Sequence, residues 1–335
     1  MKFFYNFICL IAFLYCPIGQ SEILTKDFTA TFAGIEVIGV DKSTAEKVRH
    51  ALPVQIGDVF FSKDTEKQRA NYLDIIKKNF LTNNVVCSFL LYGNNTVYLI
   101  IDFIPLEIKE NVYRPISDNK ENSKRIPKKL NSLYDQWNKR HSFLMNEGLL
   151  NIENYDKGFR DFKDPQLHNL AKKLNLYASK NYRVLLTTIR DSTNASERRK
   201  AAALLAWSEH PNETLEFILQ WGLLNDPDQG VRNDLTRSLS TSIKYIKEIS
   251  LLKKLFPSYC KQVTLPRHTD RNKALYSIRE ILQFHPDLST MITAECKQTI
   301  SYISEVSILG NIGGFASEIL KIMEEQYAKN TYLDK

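Results

Sequence analysis

Asn225-Asp226-Pro227-Asp228-Gln229-Gly230-Val231-Arg232 is the stretch on which the fold turns. It reads as a turn that opens a helix, because Val231, Leu235 and Leu239 recur at helical spacing behind it. The same start recurs on either side, as Arg198-x-x-Ala201-Ala202-x-x-Leu205 and as Arg271-x-x-Ala274-Leu275-x-x-Ile278. The three arginines lie 34 and 39 residues apart, close to the interval at which stacked helix pairs repeat. Each is preceded by a helix with its own apolar face: Leu185 and Ile189, then Phe217, Ile218 and Trp221, then Leu252, Leu255 and Phe256.

The run from Asn225 to Arg232 resembles the turn and second-helix start of a HEAT repeat, as does Glu197-Arg198-Arg199-Lys200-Ala201-Ala202. The resemblance covers about residues 180 to 325. Glu197 and Asp270 stand where valine is typical, and the last unit, around Gly313-Gly314-Phe315, lacks the arginine, as a degenerate end repeat does. The resemblance implies that Asp226, Arg198, Arg232 and Arg271 serve an inter-repeat turn network. It also implies that the helices offer an extended surface to a protein partner. Trp137, Trp207 and Trp221 are expected in the core.

Upstream, Leu167, Leu170, Ala171 and Leu174 continue the helical pattern through a connector over 131–180, ahead of the repeats at 181–330. Pro105, Pro115 and Pro127 punctuate an aperiodic polar segment, 106–130, that reads as a linker. The net charge of +7 is too modest for a dedicated nucleic-acid binder. Residues 106 to 141 nevertheless hold nine Lys/Arg against five Asp/Glu. Lys124, Arg125, Lys128 and Lys129 are the candidate binding residues, either as a solvated stretch or as a contact for anionic lipid head groups or acidic partners.

The segment before the linker, 22–105, changes pattern. Ile35-Glu36-Val37-Ile38-Gly39-Val40 alternates as a strand, and Ser43-Thr44-Ala45-Glu46 reads as a capping box. A turn at Gly57-Asp58 leads through Val59-Phe60 into a second helix with Tyr72, Ile75, Ile76 and Phe80 on one face. Two strands, Val85 to Leu91 and Val97 to Phe103, flank Gly93-Asn94-Asn95. This β-α-α-β-β order, with Gly39, Gly57-Asp58, Phe80 and the last strand in place, resembles a POTRA domain, although Val40 displaces the usual Asn or Asp after the first glycine. The resemblance implies a module that binds extended polypeptide or a partner subunit by adding a strand to its sheet. The fold class is therefore α+β, a small N-terminal domain followed by an all-α solenoid.

Met1-Lys2 followed by the apolar run Phe3 to Tyr15 and the exit Gly19-Gln20-Ser21 reads as a secretory signal over 1–21, either cleaved or kept as an anchor. Both readings export residues 22 to 335, to the periplasm or beyond. Cys87, Cys260 and Cys296 then meet an oxidising compartment, either as buried thiols or with Cys260 bridged to Cys296. Their spacing lacks CxxC, which argues against zinc.

Motifs for catalysis fail. Gly34-x-x-x-x-Gly39 is followed by Val40-Asp41 rather than Lys-Ser/Thr. Ser117-x-x-Lys120 and Ser250-x-x-Lys253 are chance matches in a chain rich in both residues. The six histidines are scattered and read as surface or capping groups. The expectation is an exported, non-enzymatic adaptor of the cell envelope with protein partners, without a cofactor, metal or nucleic acid. The alternatives are a HEAT-like nucleic-acid binder and an exported hydrolase with an unrecognised site.

Overall fold

The computed structural model describes residues 28–82, 84–92, 95–104, 113–116, 125–147, 149 and 161–333. The expected signal segment and Lys124 lie outside them. The chain is mixed α+β, with a four-stranded sheet near the N-terminus and a mostly helical remainder. It divides into two compact units, the first made of Met1–Glu110, Lys261–Leu275 and Thr293–Lys335, the second of Asn111–Cys260 and Tyr276–Ile292.

In the first unit β1 (Thr29–Ile38), α1 (Lys42–Ala51), β2 (Val59–Phe61), α2 (Thr65–Phe80), β3 (Val85–Tyr92) and β4 (Thr96–Phe103) follow in chain order. The sheet order is β2-β1-β4-β3, with β1 parallel to β4 and both outer pairings antiparallel. A parallel neighbour requires a long crossover, and the two helices with β3 supply it. Alternation then sorts the side chains: Phe32, Val37, Leu99 and Ile101 face Val48 of α1 and Ile76 of α2. Phe60, on the short β2, packs edge-on to Phe32 with ring centroids 5.7 Å apart. β2 itself was not expected, since three residues are too few to display a period of two.

Two further details differ from the sequence reading. The cap of α1 is Asp41, whose carboxylate accepts from Thr44 N at 3.0 Å and from Thr44 Oγ1 at 2.6 Å. An anionic acceptor at a helix N-terminus has the dipole in its favour, which a Ser43 hydroxyl lacks. Gly39 ends the strand at φ +87, and a Cβ there would sit 2.4 Å from the carbonyl oxygen of Phe103. Glycine is the residue that this close backbone approach permits.

The other face of the sheet is buried too. Glu36, Ile38, Ile100 and Asp102 point away from α1 and α2, yet all four are buried. Residues 261–275, α10 (Ala294–Val306) and α11 (Gly310–Leu333) belong to this unit, and bonds to the sheet side come from Arg271 and from the end of α10. Tyr302 donates to the Val40 carbonyl at 2.8 Å, and Ser307 donates to Glu36 Oε2 at 2.7 Å. The sequence reading gave these helices to the repeat array, because their own apolar spacing carries no mark of what they cover.

The second unit is helical: α3 (Lys128–Asn146), α4 (Pro165–Asp191), α5 (Ala195–Leu204), α6 (Pro211–Gln220), α7 (Gln229–Ser242), then most of α8 (Ile249–Thr264) and the second half of α9 (His268–Phe284). The boundary drawn at residue 180 falls inside α4, which runs unbroken for 27 residues. Trp137 and Trp207 are core, with centroids 5.0 Å apart, whereas Trp221 is 44% exposed under the Arg190 guanidinium. His141 and His268 are buried rather than superficial. His141 stacks on Trp137 at 4.5 Å, an aromatic use of the ring that residue type alone does not announce. Cys260 and Cys296 are both disulfide-bonded, and Cys87 is a buried free thiol whose pKa burial pushes up to about 12.

Candidate functional site

The recurring arginines are structural anchors with one shared geometry. Arg198 Nη1 donates to the Ser192 carbonyl, Arg232 Nη1 to that of Asp226, and Arg271 Nη1 to that of Leu265, each six residues back, at 3.0, 2.7 and 3.2 Å. Each side chain thus folds over the turn before its own helix and satisfies carbonyls that the turn would leave bare. All three are buried, so none is available to a ligand at the surface.

In the second unit Asp226 is the hub. Its Oδ2 accepts from Arg198 Nε at 2.9 Å and from Arg114 Nη2 at 2.5 Å, and its Oδ1 accepts from Arg198 Nη2 and from Asp228 N, both at 2.9 Å. Arg114 also donates to the carbonyls of Ile189 and Arg190. Burial lowers its pKa, and the Asp226 carboxylate opposes that shift. Beside it, the Tyr113 ring lies 4.7 Å from the Arg232 guanidinium.

These contacts correct the linker reading. Within 106–130, Tyr113 and Arg114 are pinned to the helices, and α3 has begun by Lys128. A segment held by point contacts has no periodicity, so aperiodicity was a poor guide to solvation there. No sequence signal singled out Arg114.

Of the candidate binding residues, Arg125, Lys128 and Lys129 are exposed at the start of α3, whose first turn holds no acidic residue. Lys129 Nζ sits 4.6 Å from the centroid of the Tyr177 ring on α4. Asp135, the acidic residue of α3, is bound to Lys200 at 2.9 Å. The positive surface is therefore left uncompensated by its own helix.

A second surface feature lies in the first unit. β3 is hydrogen-bonded to β4 alone among the described strands, and its register runs from Val85↔Phe103 to Tyr92↔Thr96 without a shift. Its eight residues, Val85-Val86-Cys87-Ser88-Phe89-Leu90-Leu91-Tyr92, contain no charge and no proline.

His168 Nδ1 lies 2.6 Å from Asp161 Oδ1, the orientation that precedes general-base action, but that carboxylate is the ring's only hydrogen-bond partner among the described residues. No group of three His, Cys, Asp or Glu among the described residues is placed to hold a metal ion. A recess lined by Ser208, Thr214, Ser238 and Ser242 has a volume of about 10 Å³, room for about one water and far below the ~300–1,000 Å³ of small-molecule sites. No helix among the described residues is long and apolar enough to cross a membrane. Comparison of the chain with family models and with curated proteins found no match.

Proposed function

We propose that this protein is an exported, non-enzymatic adaptor of the cell envelope that binds partner proteins through a strand edge in its first unit and through helical surface in its second. The observation that carries this reading is β3, eight uncharged residues paired on one side among the described strands. Free edges template further strands, and soluble proteins guard them with lysine, proline or bulges. β3 has neither residue, and its register is regular. An edge so left suits an extended segment of another protein.

Three observations support the finer assignments. The order β1-α1-β2-α2-β3-β4, with β1 beside β4, fits the strand-helix-helix-strand-strand order of a POTRA-like module apart from the short β2. The shared arginine geometry favours a HEAT-like array. The disulfide-bonded Cys260 and Cys296 favour an oxidising compartment and hence export.

The test is a photo-crosslinking residue placed at Ser88 or Leu90 of β3 and, as a control, at exposed Lys67 of α2, in the full chain expressed in cells. Discrete adducts from the β3 positions alone are expected. No adduct from β3, or the same adducts from Lys67, refutes strand addition.

A further inference from the structure

Over its 27 residues α4 carries Lys172, Lys173, Lys180, Arg183 and Arg190 and a single acidic residue, Asp191, at its last position. Arg190 and Asp191 are bound to each other at 2.6 Å. The remaining four cations are exposed and fall on one stripe of the helix, because successive residues turn by about 100°. Lys173 and Lys180 stand two turns apart, about 10 Å along the axis. Between them, on the same stripe, Leu176 is 65% exposed.

The stripe continues onto a second helix. The Lys129 ammonium lies over Tyr177, which joins the exposed Arg125, Lys128 and Lys129 to the α4 face. These three cations crowd a helix N-terminus, where the macrodipole is already positive, so the fold holds them against a local electrostatic cost. The same placement adds the dipole's field to theirs and raises the positive potential outside.

We propose that this face, the outward stripe of α4 with the first turn of α3, binds an anionic lipid leaflet. The positive charge fits phosphate head groups, and Leu176 decides between a leaflet and other polyanions. A leucine raised among four cations gains nothing against nucleic acid. It gains a place to be buried in the boundary between head groups and acyl chains. The lysine stems and the half-buried Tyr177 suit the same boundary, each with an apolar body and a polar tip. This inference stands apart from strand addition by β3, and the two fail independently. It also moves the cationic surface from the expected linker onto folded helices.

The test is sedimentation of the full chain with vesicles of phosphatidylcholine alone or mixed with phosphatidylglycerol, at low and raised salt. Binding to the mixed vesicles only, weakened by salt, is expected. Lys173→Gln with Lys180→Gln lowers the partition about 25-fold, at roughly fivefold for each charge removed near the surface. Leu176→Ala lowers it several-fold at unchanged charge. Lys253→Gln with Lys254→Gln, exposed on α8, removes the same charge elsewhere and leaves the partition unchanged. Each position is exposed, so circular dichroism of every variant should match the parent. Equal loss from the α8 pair, equal binding to neutral vesicles, or no binding at all overturns the proposal. Full binding by Leu176→Ala that heparin abolishes overturns it as well, and makes the face a general polyanion surface.

Discussion

Both units bury an arginine against a carboxylate, and they do so with unequal degrees of satisfaction. Asp226 spends both oxygens on Arg198, Arg114 and the Asp228 amide, four bonds to one carboxylate, and in that hub Arg114 Nε alone has no hydrogen-bond partner among the described residues. In the first unit Arg271 Nη2 lies 2.5 Å from Asp102 Oδ1, with Glu36 nearby, but Arg271 Nε and Glu36 Oε1 have no hydrogen-bond partner among the described residues. Burial in low dielectric strengthens a completed network and penalises an incomplete one. The first hub should therefore hold its unit firmly, whereas the second should be close to neutral for stability.

Asp226→Ala is the largest test of that contrast. It strands two buried guanidinium groups, and the expected loss is about 3–5 kcal/mol, measured by urea denaturation of the full chain. A loss under about 1 kcal/mol, the scale of an exposed pair, would break the comparison at its stronger end.

That hub also marks how far the sequence could be read. Asp226 and Arg198 were visible because helix-pair spacing repeats, part of β1 because Ile35 to Ile38 alternate, and β3 and β4 because two apolar runs flank the turn residues Gly93-Asn94-Asn95 in the sequence. Arg114 was not, since its role depends on carbonyls 75 and 76 residues away in the chain. The burial of Glu36 was equally hidden: alternation put it on the outer face of β1, and only the helices bonded there make that face interior. The α4 cations lay open in the sequence, but Lys172, Lys173, Lys180 and Arg183 share one face only because the helix runs unbroken across residue 180, where the sequence reading placed a boundary.

Gly39→Ala is next in size and probes the sheet without touching either hub. The positive φ and the 2.4 Å approach to the Phe103 carbonyl leave a methyl group no room, because the neighbour is backbone. A loss of about 1–3 kcal/mol is expected by the same denaturation. If the loss equals that of Asp226→Ala, backbone strain rather than charge pairing dominates stability.

Replacing both partners sharpens the comparison further. Asp102→Leu with Arg271→Met removes a buried, incompletely bonded pair and substitutes apolar volume, so stability should stay within about 1 kcal/mol of the parent or rise. Both double replacements strip turn carbonyls of an arginine, but Asp226→Leu with Arg198→Met should not be tolerated in this way, because it also takes the carboxylate from Arg114. Equal effects of the two double replacements would mean that the hubs are equivalent.

The smallest expected effect is the most specific. Burial raises the Glu36 pKa above its ordinary value, against the Ser307 hydrogen bond and the Arg271 charge that lower it. The folded state therefore favours the protonated carboxyl. Its contribution to stability is full below the unfolded pKa near 4.5 and is lost as pH rises through the folded value. His268, in the same unit, works in the other sense. Burial and the charges of Arg271 and Lys273 lower its pKa to about 3, so stability falls as pH drops below 6.5, where the unfolded ring takes up a proton. The two opposed slopes blur the profile of the parent. Glu36→Gln isolates them: the amide fits the same space and can still meet Ser307, but it does not titrate. Relative to the parent, the variant should gain stability progressively above about pH 4.5, while the fall towards acid, to which His268, Asp41 and Asp164 contribute, should be the same in both proteins. Urea midpoints for both proteins at acid and neutral pH decide the matter. A difference between them that stays constant with pH would mean that Glu36 is held ionised throughout, and that the hub around Arg271 is as well satisfied as the one around Asp226.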